Sequence, residues 1–451
     1  MKFRTKILFL SHSSIWGGAQ SCLYFLIKGI SAQKYKPLVV LPDDGPLNEK
    51  IKELGIRTKL MELEWCGKTQ TDGYQYAIFG RGLKERVNAL VELIREEQID
   101  LVFTNTAVIL DGAFAARLCG VPHIWHILEL LSLDPVIFPF LNLEAFYTLI
   151  NTITDKMIVV SKSVEAEIRQ YIQTEKIEVI YTGIEVSNGR YRRDDKEKIF
   201  GFDNDTPTVS FVGMLSERKG VLNLVDTASL VLSRFPETKF VIVGPDAGVL
   251  NIMQRRIKEK QIDYAFQFLG FRTDVLNIIA NSDIFVLPSL ADPLPVVVLE
   301  AMATGIPVIA TQSGGAAEMV VNEKTGLVVR VNDPADMAHA IISLLENPKK
   351  MKVMGKRGRN RVKKVFSYEQ YIRNFERLFY EVASMQRNDD PLTKELTSTI
   401  VTLVEAAASD KVKIIEQHQK LEELETFYEK VRNYPFYKVY RWLNHLRRRL
   451  G

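Results

Sequence analysis

Cysteine is scarce in this chain: three residues, Cys22, Cys66 and Cys119, among 451. Their odd number and their spacing match no disulfide framework and no zinc motif, which predicts reduced thiols in a cytosolic protein. Long apolar runs are missing too; no stretch reaches the roughly 18 unbroken apolar residues of a membrane-spanning helix. The start, Met1 to Leu10, runs into Ser11 and His12 without a signal-peptide cleavage pattern and reads as a buried strand. The dinucleotide fingerprint GxGxxG is absent, which argues against a nicotinamide enzyme. Positive charge is in small excess, +4 over the whole chain. The segment Phe436–Gly451 holds Lys438, Arg441, Arg447, Arg448 and Arg449 and no acid, so the excess is assigned to this tail. A general nucleic-acid-binding surface is therefore not expected, and nucleic acid is not a predicted partner.

What is present is an alternation of apolar runs with helix-period segments. Lys6–Leu10, Leu38–Leu41, Leu101–Thr104, Ile124–Ile127 and Met157–Val160 read as buried strands. Leu23, Leu26, Ile27 and Ile30 lie between the first two at the spacing of one helical face. This rhythm predicts an α/β fold with a parallel sheet covered on both sides. A polar stretch, 186–207, interrupts it and reads as a linker with room for one helical turn. The rhythm then resumes with strands at Val209–Val212, Phe240–Val243, Phe266–Leu269, Ile284–Leu287, Val308–Ala310 and Gly326–Val329. Two doubly wound domains follow, 1–185 and 208–365, with an inter-domain cleft beyond the strand C-termini. A helix over 366–388 is expected to return to the first domain, and 389–451 to form a helical basic tail. Within that tail Ile414, Leu421, Leu424, Tyr428 and Val431 follow a short heptad pattern suited to a helical hairpin or weak coiled coil. Residues 62–82, with Trp65, Tyr74 and Tyr76, read as a long loop either over the cleft or without function.

Four constellations carry chemistry. Gly17-Gly18 precedes the first helix, where close backbone approach and free N–H groups suit a phosphate; a tight turn alone is the plainer reading. Arg218-Lys219 follows a strand at the matching place in the second domain. Charge developing on a diphosphate leaving group needs such fixed cations, although a solvated Arg-Lys pair has the same sequence. Asp292 follows the strand Ile284–Leu287, and Glu300 lies eight positions on, in a helix starting near Pro295. Two carboxylates there can accept hydrogen bonds from ligand hydroxyls, or from backbone. Gly314-Gly315, with Glu318, is a second glycine loop able to present N–H groups to a ligand.

In these runs, from Gly213 to Gly220, Pro288 to Ala310 and Gly314 to Leu327, the chain resembles the GT4 family of retaining glycosyltransferases, over roughly 5–385. The resemblance implies a GT-B fold, transfer of a sugar from a nucleoside-diphosphate-sugar donor, and no required metal or other cofactor. It implies that Asp292 contacts the transferred sugar, Glu300 holds the ribose and Lys219 binds phosphate. Gly17 and Gly18 would lie under the donor phosphate, and Gly314, Gly315 and Glu318 near the donor. The chain departs from the family pattern in three places. The first acid is the shorter Asp292. Met214 replaces the arginine five positions before the lysine, with Arg218 as a substitute. Leu128 stands where the acceptor-side histidine is usual, beside Glu129 at the acidic position. His126 is the nearest histidine, expected either as a catalytic, acceptor-side group or as a core residue with one hydrogen bond.

The expected acceptor is a glycan or a lipid-linked glycan, in cell-surface polysaccharide or glycoconjugate synthesis at the inner face of the membrane. The basic aromatic tail 436–451 would touch an anionic membrane, or else pack on the catalytic domains. The 389–435 helix offers a route to a homo-oligomer. Two other readings stay open: a nucleotide-sugar epimerase of the same fold, and a non-catalytic nucleotide-sugar-binding partner.

Overall fold

The first strand, β1 (Thr5–Ser11), reads TKILFLS, and its last five residues are buried. Such apolar runs need cover on both faces, the situation of a central parallel strand. It is followed by β2 (Tyr35–Leu41), β3 (Arg57–Leu60), β4 (Leu101–Asn105), β5 (His123–Ile127), β6 (Lys156–Val159) and β7 (Ile177–Val179). These pair in parallel in the order β3-β2-β1-β4-β5-β6-β7. The second sheet contains β8 (Thr208–Val212), β9 (Lys239–Val243), β10 (Phe266–Gly270), β11 (Ile284–Leu287), β12 (Val308–Thr311) and β13 (Gly326–Val329). Its order is β10-β9-β8-β11-β12-β13, again parallel throughout. The computed structural model describes residues 4–66, 79–133, 141–186, 196–385 and 394–409, with positions 391, 420 and 426.

Strand order reverses between β1 and β4 in the first sheet and between β8 and β11 in the second. At such switch points the loops leaving the strand C-termini diverge and open a crevice for a ligand. Gly17 and Gly18 follow β1, Arg218 and Lys219 follow β8, and Asp292 follows β11. These three motifs thus lie at the edge where the topology makes a crevice, and Gly314-Gly315 follows β12, one strand further along the sheet.

Two strands are absent from the sequence reading. β3 reads RTKL with one side chain half-buried and three exposed, and β7 has three residues. Both are sheet edges; β3 is polar, as suits an exposed edge, and β7, IEV, is too short to form an apolar run. The polar stretch expected as a linker contains the helix Lys196–Phe200. Phe200 is buried in the core, and Lys196 Nζ is 2.7 Å from Asp283, so this end is packed on the second sheet.

The chain crosses between the sheets twice, at one place. Ile184 N donates to Phe366 O (3.0 Å) and Tyr368 N donates to Ile184 O (3.2 Å). The helix Tyr368–Ala383 then lies on the first domain, covering one face of its sheet with Phe375, Leu378 and Phe379, all fully buried against Phe9 and Phe103. Lys34 pairs with Glu376 at 2.7 Å, and Tyr35 OH donates to Glu376 O. A further helical stretch, 394–409, buries Val401 and Ala408 on the first domain beside Gly80. The heptad positions from Ile414 to Val431 and the basic segment 436–451 lie outside the described residues.

Candidate active site

The centre of the site is assembled by three loops of the second domain. After β8 the chain makes a single 3-10 turn, Glu217–Lys219, and passes through Gly220 at φ +66° into the helix Val221–Leu232. A Cβ at Gly220 would collide with Pro288 O, so only glycine lets this turn approach the loop after β11. Leu290 N donates to Arg218 O (2.8 Å) and Arg218 donates to Ala291 O (3.2 Å). Lys219 Nζ lies 2.5 Å from Asp292 Oδ2, with both side chains mostly buried. The third loop adds to the same group: Asp292 N donates to Ser313 O (2.7 Å) and Gly315 N to Asp292 O (3.0 Å). Gly314, at φ +102°, and Gly315 leave no room for a Cβ against Asp292 and Pro293. Arg218, Lys219, Asp292, Gly314 and Gly315 are therefore one hydrogen-bonded unit.

Glu300 lies in the helix Val296–Thr304, which begins after Pro295 as its N-cap. Its carboxylate is half-buried and has no hydrogen-bond or ionic partner among the described residues. Burial pushes its pKa up, because the charged form loses hydration without gaining a partner. A carboxylate held in that way is suited to accept hydroxyl protons from a ligand that enters the cleft. Met214, in the place of the usual arginine, is more than half exposed at 54% and contributes no charge.

On the first domain, Gly17 and Gly18 are exposed at the start of the helix Gly18–Gly29, and a Cβ at Gly18 would meet open space. Glu129 is buried after β5; its Oε2 accepts from Ala107 N (3.0 Å) and Leu128 N (2.9 Å), so it ties the loops after β4 and β5 together. Leu128 is half-buried and packs against the core.

Two expectations are corrected. His126 does not reach the cleft. Its position in β5 turns the ring to the face covered by the helix Tyr368–Ala383, between Phe103 and Phe375. It is fully buried, Nδ1 is 3.0 Å from Asn105 Oδ1, and burial drives its pKa down to about 3. It is a neutral core histidine, not an acceptor-side group. Glu318 is turned away from the donor loop and toward the first domain. It accepts from Lys162 N (2.9 Å), Ser163 N (2.8 Å), Ser163 Oγ (2.8 Å) and Tyr181 OH (2.8 Å). The carboxylate thus caps the start of the helix Lys162–Arg169, where a negative charge is favourable. Arg361 holds the backbone carbonyls of Glu318 and Met319 from behind.

One residue near the first crevice escaped the sequence reading. His12 directly follows β1, with Nδ1 3.0 Å from Thr106 Oγ1 and its ring edge-on to Trp65 at 4.8 Å. Trp65 Nε1 donates to His12 O (3.2 Å), which brings part of the 62–82 segment to this crevice; residues 67–78 lie outside the described set. Burial lowers the His12 pKa to about 4, so the ring is neutral near pH 7. A polar residue immediately after a buried parallel strand was the available signal.

Two facing doubly wound sheets, with phosphate-type loops after the first strand of each and an acid-bearing loop after β11, define a GT-B glycosyltransferase. The chain belongs to the GT4-type glycosyltransferases. Residues 16–188 match the model described as Glycosyltransferase Family 4, and residues 192–361 match Glycosyl transferases group 1. It is 27% identical, over 312 residues, to the UDP-Gal:alpha-D-GlcNAc-diphosphoundecaprenol alpha-1,3-galactosyltransferase of Escherichia coli, covering 65% of this chain and 78% of that one. A GDP-mannose-dependent monoacylated alpha-(1-6)-phosphatidylinositol monomannoside mannosyltransferase of Corynebacterium glutamicum is 34% identical over 181 residues, 38% of this chain and 46% of the relative. Among solved structures, Anabaena HepE in complex with UDP and glucose superposes with a TM-score of 0.71 at 22% identity, covering 84% of this chain and all of that one. The fold and the family together make this chain a glycosyltransferase.

Proposed function

We propose that the chain is a retaining enzyme that moves a sugar from a nucleoside-diphosphate-sugar to a glycan or lipid-linked acceptor. The observation that carries the reading is the Lys219–Asp292 pair at 2.5 Å, fixed at the strand-order switch of the second sheet. A lysine so placed can be shared between the carboxylate and a donor diphosphate. As the glycosidic bond breaks, its fixed charge meets the negative charge growing on the leaving oxygen, with no reorganisation of solvent. Arg218 adds a second cation from the same turn, and Glu300, with no partner among the described residues, would hold ribose hydroxyls. Gly314 and Gly315 offer backbone N–H groups to the donor, and Gly17 and Gly18 close over the diphosphate from the first domain. Asp292 takes the hydroxyls of the transferred sugar. Attack by the acceptor on the face the diphosphate leaves would retain anomeric configuration. On this reading Lys219 and Arg218 supply the positive charge, and no metal is needed.

The acceptor reading draws on a relative: the E. coli protein acts, by its name, on a diphosphoundecaprenol-linked sugar. On this reading a lipid-linked acceptor is met at the inner membrane surface by a peripheral enzyme; no described helix is long and apolar enough to cross a membrane.

The test begins with nucleotide-sugars screened for thermal stabilisation, since a ligand of the folded state raises the melting temperature by mass action. With the donor found, Lys219→Ala should lower kcat by on the order of a hundredfold or more. A wild-type rate in that variant would sink the assignment. Turnover of donor to a free epimer without acceptor would replace transfer by epimerisation, and binding without any turnover would make the chain a non-catalytic partner.

A further inference from the structure

The helix Pro348–Val365 holds nine Lys and Arg residues and no acid. Together with the five cations of 436–451, it sets fourteen positive charges against a net −10 in the rest of the chain, given the total of +4. The charge is not spread around the helix. Gly355 and Gly358 bring its inner face against Gly305 and Thr325, and Met354 and Val362 are buried there. Lys349, Lys352, Lys356, Arg357, Lys363 and Lys364 are all exposed. At 100° per residue these six fall within an arc of about 140°, in a stripe about 22 Å long. Val353, 49% exposed, stands in the middle of the stripe.

None of the six has an acidic partner among the described residues; Lys350, on the flank of the row, pairs with Glu323 at 2.9 Å. Like charges at i,i+4, such as Lys352 and Lys356, oppose each other on a helix. The fold thus holds an array of repelling charges on a rigid face and leaves it uncompensated. Isolated surface cations are normal; a linear, one-sided, unpaired row is a shape complementary to a flat field of negative charge.

We propose that this face of the second domain docks on an anionic phospholipid surface. The six lie on one face of one helix, so their long side chains can approach a plane together. An exposed valine, not a base-stacking aromatic, interrupts the row, and this favours lipid headgroups over single-stranded nucleic acid. The inference goes beyond the donor and acceptor reading and depends on neither, because it concerns a surface remote from Lys219 and Asp292 in sequence and function. It also differs from a role for the tail 436–451, which remains intact in the test.

The experiment is sedimentation of the full chain with phosphatidylcholine vesicles containing phosphatidylglycerol, beside vesicles of phosphatidylcholine alone. Each basic residue near an anionic surface is worth about a fivefold gain in partitioning. The triple variant Lys352→Gln, Lys356→Gln, Lys363→Gln should therefore lose about a hundredfold in binding to the anionic vesicles. Its unfolding midpoint and its transfer to a water-soluble acceptor should match wild type. Added salt should weaken binding of the wild-type chain more steeply than that of the variant, which has three fewer charges to screen. Equal binding of variant and wild type overturns the proposal and assigns any affinity to the tail. Binding of the wild-type chain to an oligonucleotide as tightly as to the anionic vesicles, at the same ionic strength, also overturns it.

Discussion

Lys219 and Asp292 meet where the loops after β8 and β11 are tied together by backbone hydrogen bonds. Their chemistry, a cation after one strand and an acid after another, is visible in the order of residues, and the structure places the two 2.5 Å apart. The histidine was a different matter. His126 lies two residues before the usual place, and in a strand that displacement keeps the same face. Which face this is depends on the helix Tyr368–Ala383, nearly 250 positions later, and nothing local reports it. Glu318 has the same lesson: its motif is local, but its four donors come from Lys162, Ser163 and Tyr181 in the other domain. A prediction at this scale separates core from catalysis. His126→Phe should keep transfer within a few-fold of wild type, and a hundredfold loss would return His126 to the chemistry. The same variant tests the pH dependence. His12, His123 and His126 are held neutral by burial, down to about 4, 3 and 3. Below about pH 6.5 the unfolded chain takes up protons that the folded rings refuse, so the stability they give is complete above 6.5 and is lost on acidification. Each ring contributes about 1.4 kcal/mol per pH unit to that slope. Urea unfolding of His126→Phe between about pH 6 and 4 should be flatter than wild type by one such ring.

Elements were legible in proportion to their burial. Central strands of a parallel sheet are continuous apolar runs, and β11 falls on the residues expected of it; β13, at a sheet edge but still the apolar run GLVV, does so too. β3 and β7 also lie at an edge; β3 is polar and β7 is too short, so neither has a run to find. The helix Pro348–Val365 was hidden for another reason. Its nine cations are balanced in the total by acids elsewhere, so a net charge of +4 points to the tail and passes over the helix. The helix Tyr368–Ala383 earns the firmest prediction at this scale. Phe375 is fully buried and touches Phe103, His126, Tyr371 and Phe379. Phe375→Ala should cost about 3–5 kcal/mol in chemical unfolding. A loss under 1 kcal/mol would mean that the helix is an accessory and not part of the first domain's core.

For the whole molecule, two doubly wound units were readable from the alternation of strand and helix, because that rhythm restarts. How the units meet was not, because the joint is built from side chains whose partners are distant in sequence. Glu318 is its polar centre, and a Cβ at Gly314 would stand 3.0 Å from Leu130 of the first domain. Glu167 fixes the neighbouring loop, accepting from Leu131 N (2.9 Å) and Tyr147 OH (2.6 Å). Glu318→Ala should lower kcat/KM about tenfold or more, the worth of one charge-assisted hydrogen bond. Thermal stabilisation by the donor should persist, because Lys219, Asp292 and Glu300 are untouched, and small-angle scattering should show a larger radius of gyration. Loss of donor binding instead would place Glu318 at the donor. The return of the chain at Ile184 and Phe366 has a consequence for synthesis on the ribosome. The first domain's sheet is complete at β7, yet Phe9 and Phe103 stay bare until the helix ending at Ala383 has emerged. At the usual pace of translation that interval is about 10–40 seconds. During it the second domain can finish folding while the first waits, so the order of completion in the cell runs opposite to the order of the sequence.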